Sequence, residues 1–174
     1  MKIIDLSMEI YTGMPVFPGD PEIQIDQECT IESDEWNMKR IHINSHDATH
    51  VNVPIHSKVW GKILDDYTLD DFISEAVVFE DMEDIQSNKA VIFTEKNDIS
   101  WESAKKIVEM RPKFIGLTKE FDIEIEKYLL EHDIISFERL TNTHKLPKKF
   151  IFHWAPLRIR DGDGSPVRAY AIID

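Results

Sequence analysis

The sequence predicts a single α/β domain over residues 1–174, in which short strands alternate with a few helices. Three observations favour this class. The first third has strand and loop character, the middle alternates short apolar runs with helical spacing, and the end carries two more apolar runs. With 42% hydrophobic residues, a chain of 174 residues can bury one sizeable core.

The first third is predicted to contain short strands joined by a rigid loop. Residues 3–6 form an apolar strand, and residues 23–26 and 28–33 are predicted as a pair of strands. Residues 40–44 alternate polar and apolar side chains. Between the first strands lies a segment with three prolines, residues 13–21, which we call the proline loop. Proline fixes φ and removes a backbone donor, so this loop is expected to hold its shape without pairing.

The rest of the chain alternates predicted strands with two predicted helices, a pattern typical of layered α/β proteins. Apolar side chains follow helical spacing between Ser100 and Met110, with Ser100 as the N-cap, and a second helix is predicted over residues 122–131. The predicted strands are residues 76–79, 90–93, 114–117, 134–135, 150–159 and 167–173.

Composition and charge narrow the function classes. The formal net charge of -13 disfavours nucleic-acid and anionic-membrane partners, because such a surface repels phosphate. The one cysteine, Cys29, cannot form an intramolecular disulfide. Asp5 interrupts the apolar N-terminus, and no apolar run approaches the roughly 20 residues of a membrane span. We therefore expect a cytoplasmic protein with a small-molecule substrate.

A histidine cluster carries the clearest chemical signal in the chain. His46, His50 and His56 lie within eleven residues. A helical turn would place His46 and His50 on one face, and a strand after them would place Asn52 and His56 on one side. Imidazole is a common zinc ligand and a common general base near neutral pH. The spacing alone leaves two interpretations open, a metal site and a polar loop rich in histidine.

The cluster resembles the signature of the metal-dependent cyclase family, which includes bacterial kynurenine formamidase and isatin hydrolase. The family motif is H-x-G-T-H-x-D-x-P-x-H, and residues 46–56 read HDATHVNVPIH. Residues 5–7 and the proline loop are similar to the opening of the family. Residues 137–140 (FERL) are similar to its I-E-N-L segment, and residues 163–169 (DGSPVRA) to its closing signature. The middle is shorter and lacks the usual T-G-W stretch.

The resemblance implies roles for individual residues. It makes His46 and His50 metal ligands, His56 the catalytic acid and base, and Glu138 a further ligand. It also sets Phe17 where relatives place an aromatic side chain against the substrate. The implied cofactor is a divalent metal, with zinc favoured over manganese.

Three positions depart from the family pattern. Asn52 replaces a metal-bridging aspartate, Ala48 replaces a glycine, and Glu126 stands near a position where the formamidases use histidine. Glu126 shares a predicted helix stripe with apolar residues, so we expect its carboxylate to face inward. With Glu126 and Glu138 as ligands, the set keeps the two negative charges of the formamidase set, although an amide oxygen is a weaker ligand than a carboxylate.

The resulting prediction is a metal-dependent hydrolase of a small amide or cyclic amide. The resemblance also implies an α/β fold with a β-rich core, a mixed or barrel-like sheet flanked by a few helices. It implies a homo-oligomer, a dimer or a tetramer, in which the opening loop completes a neighbour's pocket. Two alternatives remain. One is a dehydratase or a lactone-forming cyclase on the same scaffold. The other is a non-catalytic descendant that binds a metal or a small molecule, which Asn52 favours and Glu126 disfavours.

Overall fold

Residues 1–173 are described by a computed structural model, in which one large, curled, mixed sheet forms a half-barrel. The helices are α1 (Ile31–Asp34), α2 (Trp101–Met110) and α3 (Ile123–Glu131). The strands are β1 (Lys2–Asp5), β2 (Gln24–Cys29), β3 (Met38–His42), β4 (His50–Asn52), β5 (Ile73–Val78), β6 (Ala90–Phe93), β7 (Phe114–Leu117), β8 (Ser136–Glu138), β9 (Lys149–His153), β10 (Gly164–Pro166) and β11 (Tyr170–Ile173).

The sheet contains nine strands in the order β1-β11-β9-β5-β6-β7-β8-β4-β10. The four strands β5 to β8 run parallel, and every other neighbouring pair is antiparallel. Parallel neighbours need a crossover, which α2 supplies between β6 and β7 and α3 between β7 and β8. The predicted fold class, an α/β arrangement with a mixed sheet and a few helices, is confirmed.

Apolar side chains fill both faces of the central strands. Inside the curl, Phe114, Phe137, Phe152 and Trp154 are fully buried and contact one another through ring centroids 4.6–6.0 Å apart. On the outer face, α2 and α3 cover β6 and β7 with their own buried side chains. The side chain of Ser100 accepts from the Ser103 amide and caps α2, as predicted. The helices therefore hold the central strands from outside while the aromatic cluster holds them from inside.

Several predicted boundaries were wrong. Residues 28–33 are not one strand, because β2 ends at Cys29 after a bulge and α1 follows; its partner is β3. The strand predicted at residues 134–135 begins at Ser136. The strand predicted over residues 150–159 ends at His153. The strand predicted over residues 167–173 begins only at Tyr170, as β11, and the short strand β10 before it was not predicted.

Strands β2 and β3 form a separate two-stranded ribbon outside the main sheet. All residues from Ile31 to His42 are exposed, and the apolar side chains of Trp36 and Ile41 are 66% and 58% exposed. Arg40 makes a bidentate ion pair with Glu28 across the ribbon. Because they are exposed, these apolar side chains constitute an unpartnered surface within residues 1–173. The ribbon that carries them would be only marginally stable by itself.

None of the helices in residues 1–173 has the length and apolar character required to cross a bilayer.

Candidate active site

The register of three strands builds the candidate site. Strand β4 lies between β8 and β10, and His50 lies opposite Glu138 while Asn52 lies opposite Ser136. Successive side chains on a strand point to opposite faces, so His50 and Asn52 share one face and Val51 points into the core. The sequence expectation that Asn52 and His56 continue along one strand was wrong, because β4 ends at Asn52 and His56 lies in a short 3-10 helix, Pro54–His56.

His50 is held at both ring nitrogens. Its Nδ1 donates to the Ala48 carbonyl at 2.9 Å, and its Nε2 lies 3.0 Å from Oε2 of Glu138. The other oxygen of Glu138 accepts from the Phe121 amide at 2.6 Å. Burial opposes ionisation of Glu138, but the hydrogen bonds from His50 and from this amide keep its pKa below the ordinary value. A buried carboxylate thus faces a nitrogen that can also bind a cation.

His46 lies in a turn rather than in the helical turn considered from its spacing. Its Nδ1 is 2.6 Å from Oδ1 of Asn52, and its Nε2 is 2.8 Å from Oδ2 of Asp163. Both neighbours are acceptors, so both contacts are satisfied only when the ring carries two protons or when a cation replaces one of them. The rings of His46 and His50 still approach each other, with centroids 5.4 Å apart.

Helix α3 contributes Glu126 to the same face. Its Oε1 accepts from Nδ2 of Asn52 at 2.6 Å, so the carboxylate faces inward as the helix pattern predicted. Burial, and then the charge of Glu138, raise the pKa of Glu126 to about 8. Asn52 therefore connects His46 to Glu126 through the two ends of one amide.

His56 reaches the cluster from the 3-10 helix that follows β4. Its ring centroid is 3.8 Å from that of His46, and its Nδ1 is 3.6 Å from Oδ2 of Asp163. Burial and the neighbouring His46 lower the pKa of His56 despite the opposing charge of Asp163. His56 is therefore predominantly neutral near pH 7 and can accept a proton.

Asp163 was not among the residues singled out from the sequence. It belongs to the turn before β10 and comes 107 positions after His56, so spacing could not connect the two. The available signal was the closing signature itself, in which this acidic residue directly precedes Gly164. Its carboxylate contacts both His46 and His56.

Two backbone positions shape the space around the histidines. A Cβ on Gly164 would lie 2.4 Å from Cε1 of His46 and 2.6 Å from the Val51 carbonyl oxygen, so only glycine leaves room for the ring. Ala48 has a φ of 53°, in the left-handed region that glycine adopts without strain. This conformation explains why a glycine is the family residue at position 48.

The donor set fits a divalent metal. The donor atoms of His46, His56 and Asp163 lie within 4.8 Å of one another. On the other side of His46, the hydrogen-bonded series continues through Asn52 and Glu126, while His50 pairs with Glu138. Imidazole nitrogens and carboxylate oxygens are ligands of zinc and manganese. The charges of the buried Glu138 and the partly buried Glu126 can also be neutralised by such an ion.

A cavity of about 470 Å³ lies over the histidine cluster. Its walls include the three motif histidines, Asn52, Glu126 and Glu138. Phe17, from the proline loop, lines the same cavity and is 43% exposed. A second cavity of about 560 Å³, beside Lys149 and Ile151 on the outer face of the sheet, has no histidine among its described lining residues. The histidine-lined cavity is therefore the candidate active site.

Comparison with known proteins identifies the family of the chain. The sequence profile of the putative cyclase family matches residues 4–137, which is more than half of the chain and includes β4 and β8 up to Phe137. The chain belongs to the putative cyclase family. A kynurenine formamidase from Salinibacter ruber is similar in sequence, with 27% identity over 206 residues. The alignment covers 97% of this chain and 96% of the formamidase.

Solved structures share the fold of this cyclase-family chain. Isatin hydrolase A from Ralstonia solanacearum superposes with a TM-score of 0.82 at 14% identity, covering 99% of this chain and 92% of its own. A protein described as a potential metal-dependent hydrolase with cyclase activity gives a TM-score of 0.77 at 21% identity, with 98% and 96% coverage. At these identities the similarity establishes the half-barrel fold.

The raised pKa of Glu126 predicts how the stability of the metal-free protein depends on pH. Between the ordinary value of 4.5 and about 8, the folded state binds a proton that the unfolded chain has lost. The free energy of unfolding should therefore fall as pH rises through this window, by up to about 1.4 kcal/mol per pH unit. Urea unfolding from pH 5 to pH 9, with a chelator present, measures the slope.

The variant Glu126→Gln should remove this part of the slope, whereas Glu131→Gln, at an exposed position on the same helix, should keep the wild-type slope. Parallel curves for wild type and Glu126→Gln would show that the carboxyl of Glu126 does not titrate in this window.

Proposed function

We propose that this cyclase-family chain is an enzyme that hydrolyses a small amide or cyclic amide, with a divalent metal as cofactor and His56 as the general acid and base. The observation that carries the proposal is the convergence of His46, His50 and His56 with buried carboxylates in one cavity. Relatives named kynurenine formamidase and isatin hydrolase support the choice of substrate class.

The proposed metal ligands are His46, His50, Asn52, Glu126 and Glu138, with zinc favoured over manganese. Their support is two sets of contacts on one face of the sheet, the series His46–Asn52–Glu126 at 2.6 Å and the pair His50–Glu138 at 3.0 Å. A bound divalent ion supplies Lewis acidity, which polarises a carbonyl and acidifies water. Asp163 has a supporting role in this proposal, because a carboxylate on the second nitrogen of a ligating histidine fixes the orientation of its ring.

His56 carries the proton transfers. Its neutral ring takes a proton from the attacking water as the carbon–oxygen bond forms. It then gives that proton to the nitrogen as the carbon–nitrogen bond breaks, so that a carboxylic acid and an amine, or one ring-opened molecule, are the products. The nearby carboxylate of Asp163 stabilises the imidazolium that exists between the two steps.

Phe17 is proposed to contact the substrate. It lies on the cavity wall with its ring partly exposed, and a flat apolar side chain suits an aryl amide. The volume of about 470 Å³ is within the range of pockets for small organic molecules.

The assembly proposed for the enzyme is a homo-oligomer, a dimer or a tetramer. Its support is the ribbon of β2 and β3, which exposes Trp36, Ile41 and other apolar side chains. The ribbon follows the proline loop along the chain. Contacts of the ribbon with a second copy would therefore also affect the loop and the cavity wall that it forms.

The primary test is hydrolysis with metal analysis. Protein loaded with zinc or manganese should hold at least one ion per chain and should hydrolyse formanilide, isatin or a related aryl amide. The variant His56→Ala should lower kcat by about 10²–10⁴-fold and keep its metal, because the acid–base role is separate from ligation.

His144→Ala, at an exposed position remote from the cavity, serves as the matched control and should retain wild-type activity. Loss of metal from His56→Ala would instead make His56 a ligand with His46 and Asp163. Metal content well below half an ion per chain after loading would contradict the metal-dependent mechanism.

The pairing of Asn52 with Glu126 predicts a coupled charge exchange. Glu126→Gln should weaken metal binding, because it removes a ligand charge and preserves the shape of the side chain. Adding Asn52→Asp should restore much of the affinity. The coupling energy between the two changes should be well above the roughly 0.5 kcal/mol within which the effects of independent sites add up. Metal titration of the two single variants and the double variant measures this energy.

Glu124→Gln, on the exposed side of the same helix, should leave metal affinity unchanged. Strictly additive effects of the Asn52 and Glu126 changes would refute the compensation and would favour a non-catalytic descendant.

The exposed ribbon predicts an assembly that depends on apolar contacts. The double variant Trp36→Ser with Ile41→Ser should have a lower molar mass in light scattering than the wild-type protein at the same concentration. Leu69→Ser, which removes a side chain that is 78% exposed elsewhere, should leave the molar mass unchanged. A wild-type protein that is monomeric at all concentrations would contradict the proposed oligomer.

A further inference from the structure

The proline loop, residues 13–21, has polar anchors to the rest of the described chain on both sides of Phe17. The carbonyl of Pro15 accepts from Nη1 of Arg139 at 3.2 Å. The carbonyl of Pro21 accepts from Nδ2 of Asn44 at 3.4 Å. Between these anchors, the Asp20 amide donates to the Phe17 carbonyl at 3.0 Å and closes a turn.

The anchors are also walls of the candidate active site. Arg139 and Asn44 line the same cavity as Phe17. Proline has no backbone donor, so the loop cannot fasten itself at positions 15, 18 and 21 through N–H groups. The start of the loop is held by the Gly13 amide, which donates to the Ile23 carbonyl, and by the buried side chain of Met14. Around Phe17, the carbonyls of Pro15 and Pro21 are held by donors from the cavity wall.

The backbone and the side chain of Arg139 place its guanidinium at the proline loop. It follows Glu138 directly and has a φ of 56°, which is unusual for a residue with a Cβ and turns the chain at the end of β8. Its side chain is only 11% exposed. A second nitrogen, Nη2, pairs with the carboxylate of Glu120, which is 47% exposed. The planar guanidinium can serve the carbonyl and the carboxylate at once.

The backbone of Arg139 is fixed as well. Its carbonyl accepts from the Thr49 hydroxyl at 2.6 Å, and the same hydroxyl oxygen accepts from the Met8 amide at 2.9 Å. Thr49 lies in the histidine motif, between Ala48 and His50. Arg139 therefore joins the histidine turn, the end of β8 and the proline loop within one set of hydrogen bonds.

We propose that Arg139 is a positioning residue for substrate binding, which holds the proline loop so that Phe17 forms a fixed wall of the cavity. The proposal rests on the hydrolase function proposed above and adds a determinant of substrate affinity. Arg139 would act through Phe17 and would contact neither the metal nor the reacting bond. Its loss should therefore weaken substrate binding and spare the chemical step.

The first experiment does not require any activity. Hydrogen exchange followed by mass spectrometry compares loop peptides of wild-type protein and Arg139→Gln. Exchange at the Asp20 amide, which is hydrogen-bonded to the Phe17 carbonyl, should accelerate about tenfold, because loss of a charged hydrogen bond frees the loop for local opening. Arg168→Gln, which removes an exposed arginine paired with Asp5, is the matched control and should leave loop exchange unchanged.

The second experiment measures steady-state hydrolysis of formanilide and isatin. Arg139→Gln should raise KM about tenfold and change kcat by less than about twofold. This is the result expected when the lost interaction stabilises the bound substrate and the transition state equally. Arg139→Lys keeps the charge and lacks the planar fork, so it should give a KM between those of wild type and Arg139→Gln. It also provides a folded variant if the glutamine variant is unstable.

The double variant of Phe17→Ala with Arg139→Gln decides whether Arg139 acts through Phe17. Its KM should equal that of Phe17→Ala alone, because there is no ring left to position. Additive effects on KM, unchanged loop exchange, or a fall in kcat with unchanged KM would each overturn the proposal. If wild-type protein hydrolyses neither probe, the proposed function fails, and the exchange experiment still decides whether Arg139 holds the loop.

Discussion

The candidate site depends above all on the pairing of β4 with β8. This register sets His50 opposite Glu138 and Asn52 opposite Ser136, with Val51 and Phe137 directed into the aromatic core. A slip of one residue would exchange the two faces, burying the polar groups and exposing the apolar ones. The hydrophobic core therefore fixes the positions of the site residues, even though none of its side chains has a chemical role.

The same geometry gathers more acceptors than donors. His46 lies between an amide oxygen and the carboxylate of Asp163, and His50 lies between a carbonyl and Glu138. Such a cluster is satisfied by added positive charge, either as protons or as a metal ion. Asn52 adds no negative charge to the cluster, as an aspartate at this position would. Its amide nitrogen donates to Glu126, and its amide oxygen faces His46.

The sequence predicted best where a local pattern determines the structure. Strands β6 and β7, helix α2 with its Ser100 cap, and the inward direction of Glu126 all follow from apolar periodicity and capping. It failed where the determinant is not local. A bulge at Gln27–Cys29 lies within one strand where two were predicted, and that strand pairs with β3 instead. The left-handed Ala48 replaced a helical turn by a tight one. Asp163 arrives through the pairing of β10 with β4, which no spacing along the chain encodes.

The lack of a side chain at Gly164 is as necessary to the site as the side chains of the histidines. The imidazole of His46 occupies the volume that any side chain at position 164 would need, and the Val51 carbonyl closes the remaining direction. In a mutational scan scored by function, position 164 would rank with the histidines, although it offers no donor and no charge. Tolerance to substitution in this protein thus maps the shape of the site as well as its chemistry.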